Sequence, residues 1–180
     1  TVMNAIGAES IIPPIPGVDK AFVKDSHDVL DGKAEATGNV VVIGGGMVGM
    51  ETAEYLAEKG AKVSVLEMLP DICSDMGTTR KICMGEEIQK SGIIPVTSVK
   101  VTEIGDNVVI GEKDGEKVEF PCDYAVMAVG ARKRDGSALE KMCNDLEIGY
   151  YEIGDAGMAR RALNAVREAF DAALNFDKEE

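Results

Sequence analysis

A run of β-branched residues, Val40-Val41-Val42-Ile43, passes without a spacer into Gly44-Gly45-Gly46-Met47-Val48-Gly49, and apolar residues then recur at helical spacing from Met47 to Lys59. Few folds accept that junction. A continuous apolar run of strand length marks a strand buried on both faces. A chain that leaves such a strand through glycines directly into a helix makes the first turn of a βαβ unit. Gly60 stands at the stop position of the helix, and Lys62-Val63-Ser64-Val65-Leu66-Glu67 supplies the second buried strand.

The spaced glycines have separate tasks. Gly44 turns the chain out of the strand, Gly46 lets a pyrophosphate approach the backbone, and Gly49 lets the helix pack tightly on the strand. Ala53, Leu56 and Ala57 carry that packed face along the helix. The ligand's charge sits at the positive end of the helix, against Gly45, Met47 and Val48 as well. Among 20 glycines a lone Gly-x-Gly-x-x-Gly says little; here it follows a strand, opens a helix and is answered by an acid at the end of the next strand. That acid, Glu67, can accept hydrogen bonds from the adenosine ribose and repels a 2′-phosphate. Met68, Leu69 and Pro70 bring no cation. The pattern favours NAD(H) over NADP(H), with an ordinary solvated strand-end acid as the plainer reading of Glu67. Glu51 forms an i, i+3, i+7 stripe with Glu54 and Glu58, which reads first as the wet face of a helix.

Around this unit the sequence predicts an α/β, Rossmann-like parallel sheet with a β-meander crossover. Residues 1 to 6 read as a strand, and Pro13, Pro14 and Pro16 as an extended linker. A short helix is expected near Ser26 to Leu30, a second from Gly77 to Ser91 and a last from Met158 to Phe176. Val99, Val101, Val108, Ile110, Val118 and Phe120 alternate with polar neighbours, giving the meander. Tyr124 to Val129 is another buried strand, and Tyr150 to Ile153 a short one. The boundaries are 1–37 for a flanking strand and linker, 38–132 for the dinucleotide domain, and 133–180 for a flanking piece with the final helix.

A net charge of −13 argues against nucleic acid and anionic membrane surfaces as partners. No apolar run is long enough to suggest a membrane span. The four cysteines, Cys73, Cys83, Cys122 and Cys143, include no Cys-x-x-Cys pair, and His27 is the single histidine. We therefore expect no metal site, thiols in a reducing cytoplasm, and packing roles for Cys73 and Cys83. The start at Thr1, without Met, suggests a piece of a longer protein. No catalytic residue is expected: Tyr55 and Lys59 lie on the dinucleotide helix, facing solvent, rather than on a separate catalytic helix.

The stretch from Val40 to Ala53 resembles the NADH domain of flavoprotein reductases with two dinucleotide-binding domains, and within that group the NADH:flavin oxidoreductases of the 2,4-dienoyl-CoA and 2-enoate reductase type. Ala5 to Gly17 is similar to the family's first crossover from the FAD domain, although Ile6 stands where the family has Thr. Ala125 to Ala131 resembles the second crossover, Ile153-Gly154-Asp155 the motif beside the flavin's ribityl–phosphate region, and Arg160 to Phe170 the helix after it. The resemblance implies that residues 1–37 and 133–180 are remnants of an FAD domain, with Gly154 and Asp155 toward FAD. Asp155 also suits a simpler role as cap of the final helix. The resemblance puts Glu51, Ala128, Val129 and Gly130 near the nicotinamide. It implies an NADH-binding module that delivers hydride to FAD in a larger flavin and iron–sulfur reductase, with the missing FAD and barrel domains of the same polypeptide as partners. The isolated chain is then expected to lack full turnover and to hold FAD weakly or not at all. The rival expectation is a non-catalytic NAD-binding sensor, which needs only the loop and Glu67.

Overall fold

The computed structural model describes residues 1–74 and 76–175. The chain forms two compact units, Ile12–Gly130 and, from its two ends, Thr1–Ile11 with the chain from Ala131 onward. Both differ from the sequence boundaries, because residues 12–37 fold with the dinucleotide domain and the second crossing ends at Gly130.

The end unit opens with β1 (Val2–Asn4) and β2 (Ala8–Ser10). The central unit follows with β3 (Val23–Asp25), α1 (Ser26–Leu30), β4 (Asn39–Ile43), α2 (Met47–Glu58), β5 (Lys62–Leu66), α3 (Thr78–Ser91) and β6 (Ile94–Val96). It continues through β7 (Lys100–Ile104), β8 (Val108–Lys113), β9 (Glu116–Pro121) and β10 (Tyr124–Met127). The chain then returns to the end unit with β11 (Ala131–Lys133), α4 (Ser137–Asp145), β12 (Tyr150–Glu152), a 3-10 turn over Gly154–Ala156, and α5 (Ala162–Asn175).

In the central unit five parallel strands lie in the order β3-β10-β4-β5-β6. The run 40–43 is buried on both faces, as its composition predicts. Val40 and Val42 point into a core with Met50, Ala53 and Leu56 of α2 and Ile88 of α3. Val41 and Ile43 point the other way, into a core with Val99, Ile104, Val109 and Met127. The second core lies under the antiparallel meander β7-β8-β9. There the expected alternation slips. In β8 the buried residues are Val109 and Gly111 rather than Val108 and Ile110. A bulge between Val101 and Glu103 shifts the register against β8. Gly111 is required at its place, since a Cβ would come 2.8 Å from Val99 Cγ1.

The proline segment is pinned rather than free. Ile15, Val18 and Phe22 pack on the meander-side core, and Lys20 pairs with Asp106 at 2.7 Å. β3 then joins the sheet edge, and Asp25 caps α1 by accepting from the His27 and Asp28 amides.

In the end unit β1 pairs with β12 in parallel, and β2 with β11 antiparallel. Asn4, buried, donates to the Tyr150 hydroxyl at 2.7 Å. The last helix begins at Ala162, later than expected, and Phe176 lies outside the described residues. α5 turns small residues inward and large ones outward: Ala172 is buried, while Leu163 is 78% and Phe170 62% exposed.

Candidate functional site

The glycine loop is shaped by contacts that leave no room for side chains. The Gly44 amide donates to Leu66 O at 2.8 Å, and the Ala128 amide to Ile43 O at 2.8 Å, so the ends of β4, β5 and β10 close on the loop. A Cβ on Gly49 would lie 1.9 Å from Gly44 O, which is why α2 can start so close to the strand it leaves. Gly46 is different. Its φ of −74° is open to any residue, and a Cβ there would meet nothing within 4 Å. The chain's own packing does not ask for glycine at 46. The backbone there faces open space.

What it presents is a row of donors. The first bond of α2 runs from the Met50 amide to Gly46 O at 3.0 Å, and no side chain caps the helix. The amides of Met47, Val48 and Gly49 precede that bond, at the positive end of the helix. An uncapped, glycine-flanked helix start of this kind suits the pyrophosphate of a dinucleotide.

Glu67 sits just past β5 and closes the loop's far side. Its Oε2 accepts from the Gly45 amide at 2.6 Å and its Oε1 from the Leu69 amide at 2.8 Å. Each carboxylate oxygen keeps further lone-pair capacity for a ribose hydroxyl. Both oxygens are tied to backbone, which orients the carboxylate whether it serves a ligand or, in the plainer reading, stands as an ordinary strand-end acid. Met68 and Leu69 are exposed beside it, and the nearby Lys81 is paired with Asp71. A 2′-phosphate would meet an oriented carboxylate, with Lys81 already paired to Asp71.

Two contacts here carry no sequence signal. The Cys73 amide donates to Gly45 O at 2.8 Å, and Ile72 Cγ2 lies 3.0 Å from where a Gly45 Cβ would be. The segment after Glu67 therefore crosses the loop and fixes it. Cys73 is buried, as a packing role requires, but Cys83 is exposed on α3 and packs nothing in the core. Tyr55 also departs from expectation: it is partly buried against the core, with the Lys59 ammonium 4.7 Å from its ring centre.

Glu51 lies on the exposed face of α2, with Oε1 4.0 Å from Arg80 Nη2. Glu54 beside it has its carboxyl pushed up by burial first and then by the charges of Glu87, Glu51 and Glu58. Ala128 touches the loop through its backbone, while Val129 and Gly130 are exposed just beyond β10.

The family model for pyridine nucleotide-disulphide oxidoreductases matches residues 1–159. The chain belongs to this family. It is 42% identical over 175 residues to a bilirubin reductase of Mediterraneibacter gnavus, and 40% over 177 residues to an NADH oxidase of Thermoanaerobacter brockii. Each alignment covers 96% of this chain but 27% of the relative, so the chain spans about a quarter of their length. Among solved structures it is similar to a 2-naphthoyl-CoA reductase, with a TM-score of 0.86 and 30% identity over 93% of this chain and 26% of that one.

The family's oxidoreductase and nucleotide-binding character fits the loop. Its name also raises the thiols. No disulfide joins the four cysteines, and burial together with the charge of Asp123 pushes the Cys122 thiol up to about 11, which leaves it inert at neutral pH.

Gly154 and Asp155 belong to the end unit. The Gly154 amide donates to Glu168 Oε2 at 2.8 Å, and Asp155 Oδ1 accepts from the Arg160 amide at 3.1 Å. Asp155 therefore closes the turn before α5 and does not cap the helix, which starts too far on. With Ala5, Ile153, Ala165 and Ala169 these residues line an open depression of about 340 Å³. Its small residues leave room for part of a dinucleotide, not the whole.

Proposed function

We propose that this chain is the NADH-binding portion of a flavin-dependent reductase of the 2,4-dienoyl-CoA and 2-enoate type, an electron-input module within a longer cytoplasmic polypeptide. When bound, NADH supplies the hydride and FAD its acceptor; the protein's part is binding and orientation. The loop amides from Met47 to Gly49 hold the pyrophosphate over Gly46. Glu67 takes the adenosine ribose and turns away a 2′-phosphate. Ala128, Val129 and Gly130 edge the nicotinamide end, and Gly154 and Asp155 take part of FAD. The observation that carries this reading is Gly46, a glycine that neither backbone angle nor packing explains, next to a carboxylate already oriented by two amides.

The longer polypeptide is supported by the surface of the end unit. The apolar face of α5 is exposed, and β1 and β12 form a parallel sheet of only two strands, an arrangement that parallel strands seldom keep without covering layers. The relatives' greater length supplies the candidate for that cover, a flavin domain of the same polypeptide.

Titration of the purified chain with NADH and NADPH, with its visible spectrum recorded, tests the reading. NADH should bind, NADPH at least about tenfold more weakly, a difference of about 1.4 kcal/mol, and no flavin spectrum should accompany the chain. Preference for NADPH would overturn the role given to Glu67. Flavin in stoichiometric amount would overturn the incomplete FAD site. NADH binding by a full-length polypeptide that carries no flavin would favour the sensor.

A further inference from the structure

We infer that Arg80 is a second cofactor-binding residue of this site, a guanidinium held over the start of α2 by Glu51 and poised to meet the dinucleotide's pyrophosphate. The inference rests on the dinucleotide reading above and adds a residue that the glycine motif does not contain.

The need comes from charge. A pyrophosphate brings two negative charges to a helix start whose surroundings include Glu51, Glu54, Glu67 and Asp71. The amides at the helix start supply the equivalent of about half a positive charge, less than the pyrophosphate carries. Two cations lie in the segment that crosses the loop, at the first turn of α3. Lys81 is committed to Asp71. Arg80 is not committed in that way: its ion pair among the described residues, to Glu51 at 4.0 Å, is beyond hydrogen-bond length, and its side chain is 63% exposed.

The placement comes from helix geometry. A helical side chain leans toward the N-terminus, over the turn before its own Cα. The Glu51 carboxylate therefore hangs over the first turn of α2, and so does the guanidinium paired with it. Those are the amides of Met47, Val48 and Gly49. The Cys73–Gly45 bond and the Ile72 contact anchor the segment that brings α3 there. An arginine fork can bind two phosphate oxygens at once, which a lysine cannot match. In this arrangement Glu51 is a positioning residue: it keeps the fork near the helix start until the ligand takes it over.

The test uses this chain with two probes, NADH and ADP-ribose, which carries the pyrophosphate but no nicotinamide. Failure of the wild-type chain to bind either probe would sink the dinucleotide reading itself. If wild type binds, Arg80→Met should weaken both probes by a similar factor, about tenfold for a charge-assisted contact, and flatten the salt dependence. Arg80→Lys should recover part of the loss. The apo melting temperature should not move, since Arg80 is exposed. Loss for NADH alone would put Arg80 at the nicotinamide and overturn the inference, as would no loss at all. Glu51→Gln alone separates positioning from charge balance. Weaker binding of both probes supports Glu51 as the residue that positions Arg80, whereas unchanged or tighter binding means Arg80 only neutralised Glu51 and overturns the inference.

Discussion

The two units of this chain satisfy their apolar residues in opposite ways. Between Ile12 and Gly130 a five-stranded sheet is covered on one face by α2 and α3 and on the other by a meander, and the apolar residues of its central strands β10, β4 and β5 are buried on both sides. The end unit buries Ala172 of α5 and leaves Leu163, Val166, Phe170 and Leu174 exposed. The comparison separates a region that buries its large apolar residues within itself from one that leaves them exposed.

Substitutions of the same kind in the two regions should therefore behave differently. The largest effect belongs to Gly49→Ala. With a backbone oxygen 1.9 Å from the added carbon, the start of α2 must move, at a cost of about 4 kcal/mol, beyond ordinary overpacking; thermal melting reads it. Gly46→Ala, three residues away, should leave that melt unchanged and abolish most NADH binding in the same sample. Leu56→Ala in the central core should cost about 3 kcal/mol, while Leu163→Ala on α5 should stay within about 0.5 kcal/mol. Equal losses at Leu56 and Leu163 would break the comparison, because the end unit would then have a core of its own. The smallest effect is electrostatic. The Glu54 carboxyl is raised in the folded chain, so its charge opposes folding above that raised pKa and stops doing so below the ordinary glutamate range. Glu54→Gln should stabilise by about 0.3 kcal/mol at pH 7, the scale of a like-charge helix pair. The gain should fade as pH falls toward 4; a gain that grows on acidification would reverse the sign.

The same contrast explains what could be read ahead of the structure. β4, α2 and β5 were legible to within a residue or so, because a β-branched run, a glycine turn and a helical repeat each leave a periodic trace. β2, β3 and β11 left none: three residues such as Val23-Lys24-Asp25 are too few to show a period, and they are strands only because a partner strand lies alongside. α4 is missed although Leu139, Met142, Cys143 and Leu146 recur at helical spacing; the stripe is short, and the structure buries only Cys143 of the helix. The site divides similarly. The glycines and Glu67 were legible from spacing. That Glu67 is held by the Gly45 and Leu69 amides, or that Arg80 reaches Glu51, depends on a loop whose path no local pattern encodes. Asp155 was misplaced for a related reason: an aspartate before a helix looks like a cap until the helix is seen to start at Ala162.

Gly46 has one further consequence. Because nothing in the fold leans on it, selection for a well-folded, abundant protein would not notice its loss. A library of this chain screened only for expression should let position 46 drift while 44 and 49 stay fixed. Loss of the glycine there would then register in cofactor use rather than in folding. The same screen repeated in the presence and absence of a demand for the cofactor would read that difference directly.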